Sequence, residues 1–295
     1  MKTTRFFLPF LLLLFLVATL PVDVYAQKAR PRVGLVLGGG GAKGAAHVGV
    51  LKVLEELNVP VHCIVGTSIG AIVGGLYATG TRADALDSLF THEDWLDLFA
   101  REVVVRGNIE KRFTELLPDS LPRNFDDLPI PFRCVAVDIK SMKQVVFDHG
   151  SLSQAMRASM AIPGVLRSVK TDSMKLVDGG MLNNLPVDVA RQMGANIIIA
   201  VDLQQNQHED KDNEVNLPSA ITSIPIVDWL LARPDWKNYN RNRVQADILI
   251  NPDLDGFKVS SFSQKNIEKM IAIGRKTTEK HKKKIKKLLK KKGVL

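Results

Sequence analysis

Two short apolar runs, each cut off by glycine, constrain this chain more than any other feature. Val33-Gly34-Leu35-Val36-Leu37 runs into Gly38-Gly39-Gly40-Gly41, and His62-Cys63-Ile64-Val65 stops at Gly66. Such runs, apolar at consecutive positions and ended by glycine, read as strands buried on both faces that turn sharply. Helical spacing comes after each one, over residues 45–57 and again over the small apolar stretch 69–77. Strand, glycine turn and helix, twice over, predict a mostly parallel sheet covered by helices on both faces.

The rest of the chain extends that pattern. Strands are expected at 132–137, 144–147, 175–177, 197–201 and 248–250, and helices at 152–158 and 187–193. Residues 82–117 read as irregular helix, with Trp95 and Phe99 on an apolar face, and are a candidate cap. Residues 204–216 are polar and read as a surface loop. A long helix is expected over 263–289, where Ile267, Met270, Ile271, Ile285, Leu288 and Leu289 recur at helical spacing.

The first residues carry a different signal. Lys2 and Arg5 precede an apolar run over 6–20, and Val24-Tyr25-Ala26 supplies small residues where a signal peptidase cuts. An apolar run of about 15 residues is short for a bilayer span of roughly 20. Residues 1–26 are therefore expected to be a signal peptide, and the protein to be periplasmic or secreted. The chain beyond residue 26 is long enough for one large α/β core. Cys63 and Cys134 are too few for a disulfide framework. Both lie in apolar stretches and read as buried thiols, with a bridge between them as the alternative.

The net charge of +9 is concentrated at one end. Arg275 and ten lysines in 275–292 face only Glu279, so the body without leader and tail is slightly acidic. The basicity belongs to the tail, and with no aromatics among the lysines it does not read as a nucleic-acid surface. A solvated helix end and a peripheral contact with anionic membrane are the two readings of residues 277–295.

Three motifs carry chemistry. Gly66-Thr67-Ser68-Ile69-Gly70 matches G-x-S-x-G between an expected strand and an expected helix, the setting of a nucleophile elbow. An N-cap serine in an ordinary turn is the competing reading. The glycine run 38–41, followed by Ala42-Lys43-Gly44, can present free N–H groups to an anion. It fails as a Walker loop because Gly44 stands where Ser or Thr is needed. As a dinucleotide fingerprint it lacks the acidic residue expected about 20 positions on. An oxyanion hole fits a serine one strand later. The third motif, Asp178-Gly179-Gly180, ends a short strand; alone, Asp-Gly is most often a turn. A serine hydroxyl needs a base. None of the six histidines is placed like one, His208 and His281 being the two that come after Asp178 in an α/β-hydrolase order.

Taken together, Gly39 to Gly44, Gly66 to Gly70, Arg157 to Gly164 and Asp178-Gly179-Gly180 resemble the patatin-like phospholipase family, here an exported bacterial member, from about Arg32 to Lys276. The resemblance implies a three-layer α/β/α fold with Ser68 as nucleophile and Asp178 as proton acceptor. It also implies an oxyanion hole from Gly39, Gly40 and Gly41, with Lys43 where the family has Arg or Lys. Gly44, Gly66, Gly70, Gly179 and Gly180 complete the motifs; many members have Ala where Gly180 stands. The implied substrate is a phospholipid or another acyl lipid, hydrolysed without cofactor or metal. A non-catalytic lipid binder tethered by its basic tail is the alternative.

Overall fold

The strand Val33–Leu37 (β1) is fully buried, and alternation along it decides what covers each face. Leu35 and Leu37 point into one apolar cluster while Val36 points into another. The same alternation holds on the flanking strands Val61–Thr67 (β2) and Ile197–Val201 (β7). Strands buried on both faces need a helical layer on each side, which gives three layers, α/β/α.

The computed structural model describes residues 30–104, 107–204 and 236–295, with Pro31–Leu295 as one compact unit. The expected signal peptide and the polar loop beyond residue 204 lie outside the described residues. The remaining strands are Phe132–Asp138 (β3), Lys143–Phe147 (β4), Val169–Lys170 (β5), Lys175–Asp178 (β6) and Ile248–Ile250 (β8). Their order is β5-β6-β3-β2-β1-β7-β8, with β4 also paired to β3. The pairs β1–β2, β1–β7, β2–β3 and β7–β8 are parallel, and the three involving β4, β5 and β6 are antiparallel.

One face carries Ala45–Glu56 (α1), Ile69–Ala78 (α2), Ala83–His92 (α3), Leu152–Ser159 (α6) and Gln264–Lys292 (α9). Two further helices, Trp95–Val104 (α4) and Asn108–Leu116 (α5), continue that layer. The irregular stretch 82–117 is thus three short helices. The other face is covered by Val187–Gln192 (α7) and by Tyr239 of Trp236–Gln245 (α8). Cys63 lies in the second cluster and Cys134 in the first, on opposite faces of the sheet, and both thiols are free.

The lysine-rich segment is no separate tail. Helix α9 runs unbroken past residue 276, and Ile285 and Leu289 are completely buried. A Cβ on Gly49 would lie 2.0 Å from the Ile271 carbonyl oxygen, and one on Gly274 2.1 Å from that of Ala46. The backbones of α1 and α9 therefore touch, as only glycine allows. The helix ends on Gly293 in the left-handed conformation, φ 72°, with the Val294 N–H on the Leu289 carbonyl, a closed C-cap.

Candidate functional site

Ser68 comes directly after the last residue of β2, in a conformation few residues adopt, φ 56° and ψ −124°. Both neighbouring glycines are obligatory. A Cβ on Gly66 would lie 2.3 Å from the Gly70 carbonyl oxygen, and one on Gly70 2.1 Å from that of Leu37. A non-glycine residue in such a region costs of order 1–3 kcal/mol, so its surroundings must hold it there. The fully buried Ser159 does so: its hydroxyl accepts the Ser68 N–H at 2.9 Å and donates to the Val135 carbonyl at 2.6 Å. The N–H of Ala71 closes the turn on the Ser68 carbonyl at 2.9 Å.

Removing that acceptor should be costly. Ser159→Ala leaves a buried N–H unpaired, a penalty of about 1–3 kcal/mol. Urea unfolding should show a loss in that range; a loss under a few tenths would mean the elbow is held without Ser159.

Asp178 meets Ser68 along one edge of β3. Thr67 pairs with Val135 and Asp178 with Ala136, the next residue, while β4 takes the opposite edge of that strand. Because β6 is antiparallel to β3, it descends from beyond the carboxyl ends of β1 and β2 and ends at the level of the elbow. The Ser68 side chain hydrogen-bonds the Asp178 carboxylate, which also accepts the Gly180 N–H at 2.7 Å. Both side chains are nearly closed off, 6% and 7% exposed. Burial pushes the Asp178 carboxyl up to about 6, against the pull of those two hydrogen bonds. Desolvation disfavours the charged form, and here it outweighs them.

The glycine loop closes over the same pair. A Cβ on Gly39 would lie 3.1 Å from that of Ser68 and 2.5 Å from Asn184 Oδ1. The Gly39 N–H donates to the Asn184 carbonyl at 3.2 Å. Gly40 and Gly41 have no acceptor for their N–H among the described residues. Gly40 packs on Leu203, and Gly41, at φ 57°, lies against the Val259 carbonyl, which accepts the Ala42 N–H at 2.8 Å. Gly44 abuts Ile69, seating the start of α1 on the start of α2, and Gly179 abuts the Val135 carbonyl. Lys43 is half-buried, and desolvation lowers its pKa against the pull of Asp255.

The structure thus brings together Ser68, Asp178, the glycine loop and both flanking motifs. It also explains the stretch from Arg157 to Gly164. Ser159 holds the Ser68 N–H and the Ala161 carbonyl accepts the Asp178 N–H at 3.0 Å. Arg157 anchors the stretch through a buried pair with Glu102 at 2.9 Å. Just beyond, a cleft of about 210 Å³ opens between Glu102 and the residues Gly164 to Arg167.

The Patatin-like phospholipase family profile matches residues 35–191, just over half of the chain and all of these motifs. The chain belongs to the patatin-like phospholipase family. A patatin-like phospholipase domain-containing protein of Caenorhabditis elegans is 40% identical over 190 residues, covering 58% of this chain and 13% of that one. Human patatin-like phospholipase domain-containing protein 6 is 38% identical over 191 residues, 60% of this chain and 14% of its own length. An uncharacterized NTE family protein of Mycobacterium tuberculosis is 37% identical over 182 residues, 60% of this chain and 50% of that protein. The chain therefore spans half or less of these relatives. The type III effector ExoU superposes with a TM-score of 0.47 at 14% identity, over 86% of this chain and 53% of its own.

In this patatin-like chain three site residues have no separate signal in the sequence. Ser159 lies within the Arg157 to Gly164 motif, which by itself gives it no role. Asn184 sits between Gly39 and Gly180, its Oδ1 2.9 Å from where a Gly180 Cβ would be. His47 is completely buried and donates through Nε2 to the Gly38 carbonyl at 2.8 Å. Desolvation drops its pKa to about 4, so the ring is neutral and holds the loop as a dipole. No histidine hydrogen-bonds Ser68 among the described residues. His62 accepts the Val33 N–H at the opposite end of the strands, and His281 binds the Thr277 carbonyl along α9.

Proposed function

We propose that this protein is a serine lipid acyl hydrolase working through a Ser68–Asp178 dyad. The observation that carries the reading is the Ser68 hydroxyl against a buried carboxylate whose pKa is held near 6. Such a group is ionised at neutral pH and basic enough to take a proton in a transition state.

Asp178 accepts the Ser68 proton as Oγ bonds to the ester carbonyl carbon. The carbonyl oxygen becomes an oxyanion facing the N–H groups of Gly40 and Gly41, each commonly worth about 3 kcal/mol. Collapse breaks the ester C–O bond, and Asp178 returns the proton to the departing alcohol. Water, deprotonated by Asp178, then attacks the acyl-enzyme, and Ser68 leaves reprotonated. Gly39, with its N–H engaged by Asn184, serves by letting the loop approach Ser68.

Family membership supports a lipid ester as substrate, of the phospholipase A, lysophospholipase or esterase type. The leader read at residues 1–26 supports export to a periplasmic or extracellular space. The test is fatty-acid release by purified protein from a panel of phospholipids, lysophospholipids and glycerides. Release from at least one class, with an acid limb near pH 6, is expected; no release from any would contradict the reading.

A further inference from the structure

We infer that the protein meets lipid surfaces through the rim at the carboxyl ends of β1, β2 and β3, and not through its lysine-rich helix. Only the identity of the surface, a lipid–water interface, rests on the proposed function.

Five of the large apolar side chains left exposed gather at that rim. Val259 carries the carbonyl that holds the glycine loop. Val165 lies in the loop just past Ala161, the residue bonded to Asp178. Met142 is at the tip of the β3–β4 hairpin, beyond the level of Thr67 by the register of β3. Trp236 opens α8, whose Asn238 amide donates to the Leu182 carbonyl, four residues past Asp178. Leu96 adjoins Trp95, whose ring packs on Phe262, three residues beyond Val259. They are 42–55% exposed, where scattered single residues would be unremarkable. Their placement at one end of the sheet is the observation that needs a cause.

Met142 adds a second, independent one. It holds φ 51° at a hairpin tip, a position that favours Gly, Asn or Asp. A long apolar residue stands there against local preference, pointing to a role outside the fold.

The lysines lie at the other end of the molecule. Lys282 and Arg275 pair with Glu56, the last residue of α1, at 3.2 and 2.6 Å. Helix α1 starts at the glycine loop and ends where β2 begins, so Glu56 marks the edge of the sheet opposite Ser68. The turns of α9 after Lys282 extend from that edge. With Ile285 and Leu289 buried, this end has charge to offer a membrane but little apolar surface. A bilayer docked there would leave Ser68 facing away from it.

The test measures co-sedimentation of the Ser68→Ala protein with vesicles of phosphatidylcholine, with and without phosphatidylglycerol. Binding to both is expected. Leu96→Asp with Met142→Asp should weaken it about tenfold or more, at an unchanged melting temperature, since Asp suits the backbone of residue 142. Lys286→Glu with Lys290→Glu should leave binding to phosphatidylcholine as it was. Unchanged binding in the rim variant, or loss in the lysine variant, or binding only when phosphatidylglycerol is present, overturns the inference. Hydrolysis of a water-soluble short-chain ester by the unaltered protein, followed separately, reports whether the hydrolase reading itself holds.

Discussion

Ser68→Ala is expected to lower ester hydrolysis by about 10⁴-fold or more while leaving the protein folded. The loss is large because the variant removes the only atom that forms a bond with the substrate. The activity that survives is binding plus whatever the glycine N–H groups do for water attacking unaided. Stability should fall by no more than the hydroxyl's bond to Asp178, about 1–3 kcal/mol. The residue at 68 keeps its N–H on Ser159 and its carbonyl in the first turn of α2, and neither bond uses the hydroxyl. Steady-state hydrolysis beside a thermal melt checks both halves. Activity within tenfold of the parent would remove Ser68 from the mechanism. If loss came instead from His208→Ala with His281→Ala, a histidine-dependent esterase would take its place.

Asp178→Asn should be almost as damaging to activity and yet stabilise the fold. The carboxyl is raised from its ordinary value to about 6, so the folded state favours its protonated form. Between roughly pH 4 and 6 the folded protein then binds more protons than the unfolded chain. Stability contributed by this group is present below that window and lost as pH rises through it. A neutral amide escapes the loss. Asparagine at 178 should therefore gain on the order of 2 kcal/mol at pH 8 and nothing at pH 4. Its Oδ1 can still accept the Gly180 N–H. Urea unfolding at both values checks this. Equal stabilities at pH 8 would mean that burial of Asp178 is not the source of its raised pKa.

The parts of the fold that are legible in the sequence are those with a hydrophobic period. β1, β7 and β8 fall where consecutive apolar residues predict them, and α9 differs from its expected span by a few residues. Helix α8 has no such signal because it is polar almost throughout. Tyr239 donates to the buried Asp202 at 2.6 Å, and Asn242 donates to Asn183 and Asp188 at 3.0 Å. A helix seated by a hydrogen-bonded network leaves no apolar stripe to read. The lysine-rich end of α9 is legible as helix but not as packed helix. Lysines at most positions mask the burial of Ile285 and Leu289, with Leu288 and Val294 packed beside them.

The site is legible as residues but not as geometry. The glycines and the elbow serine can be named because their motifs follow predicted strands, and the aspartate because the motifs together resemble the family. That Asp178 arrives on a strand running opposite to β3 cannot, because strand direction leaves no mark in four residues. Nor can the sharing of Ser159 between Ser68 and Val135, which depends on contacts across 91 and 24 residues. The lack of a well-placed histidine is informative in the sequence itself. It leaves an acid as the candidate base, and the antiparallel strand explains how Asp178 comes to lie beside Ser68.

That Ser68 is a nucleophile made reactive by Asp178 is the central claim. Its most direct measurement is labelling with a fluorophosphonate, with the modified peptide mapped by mass spectrometry. One adduct per chain on Ser68, absent from Ser68→Ala and much slower to form in Asp178→Asn, is the expected result. No adduct, or an adduct on another residue, would contradict it.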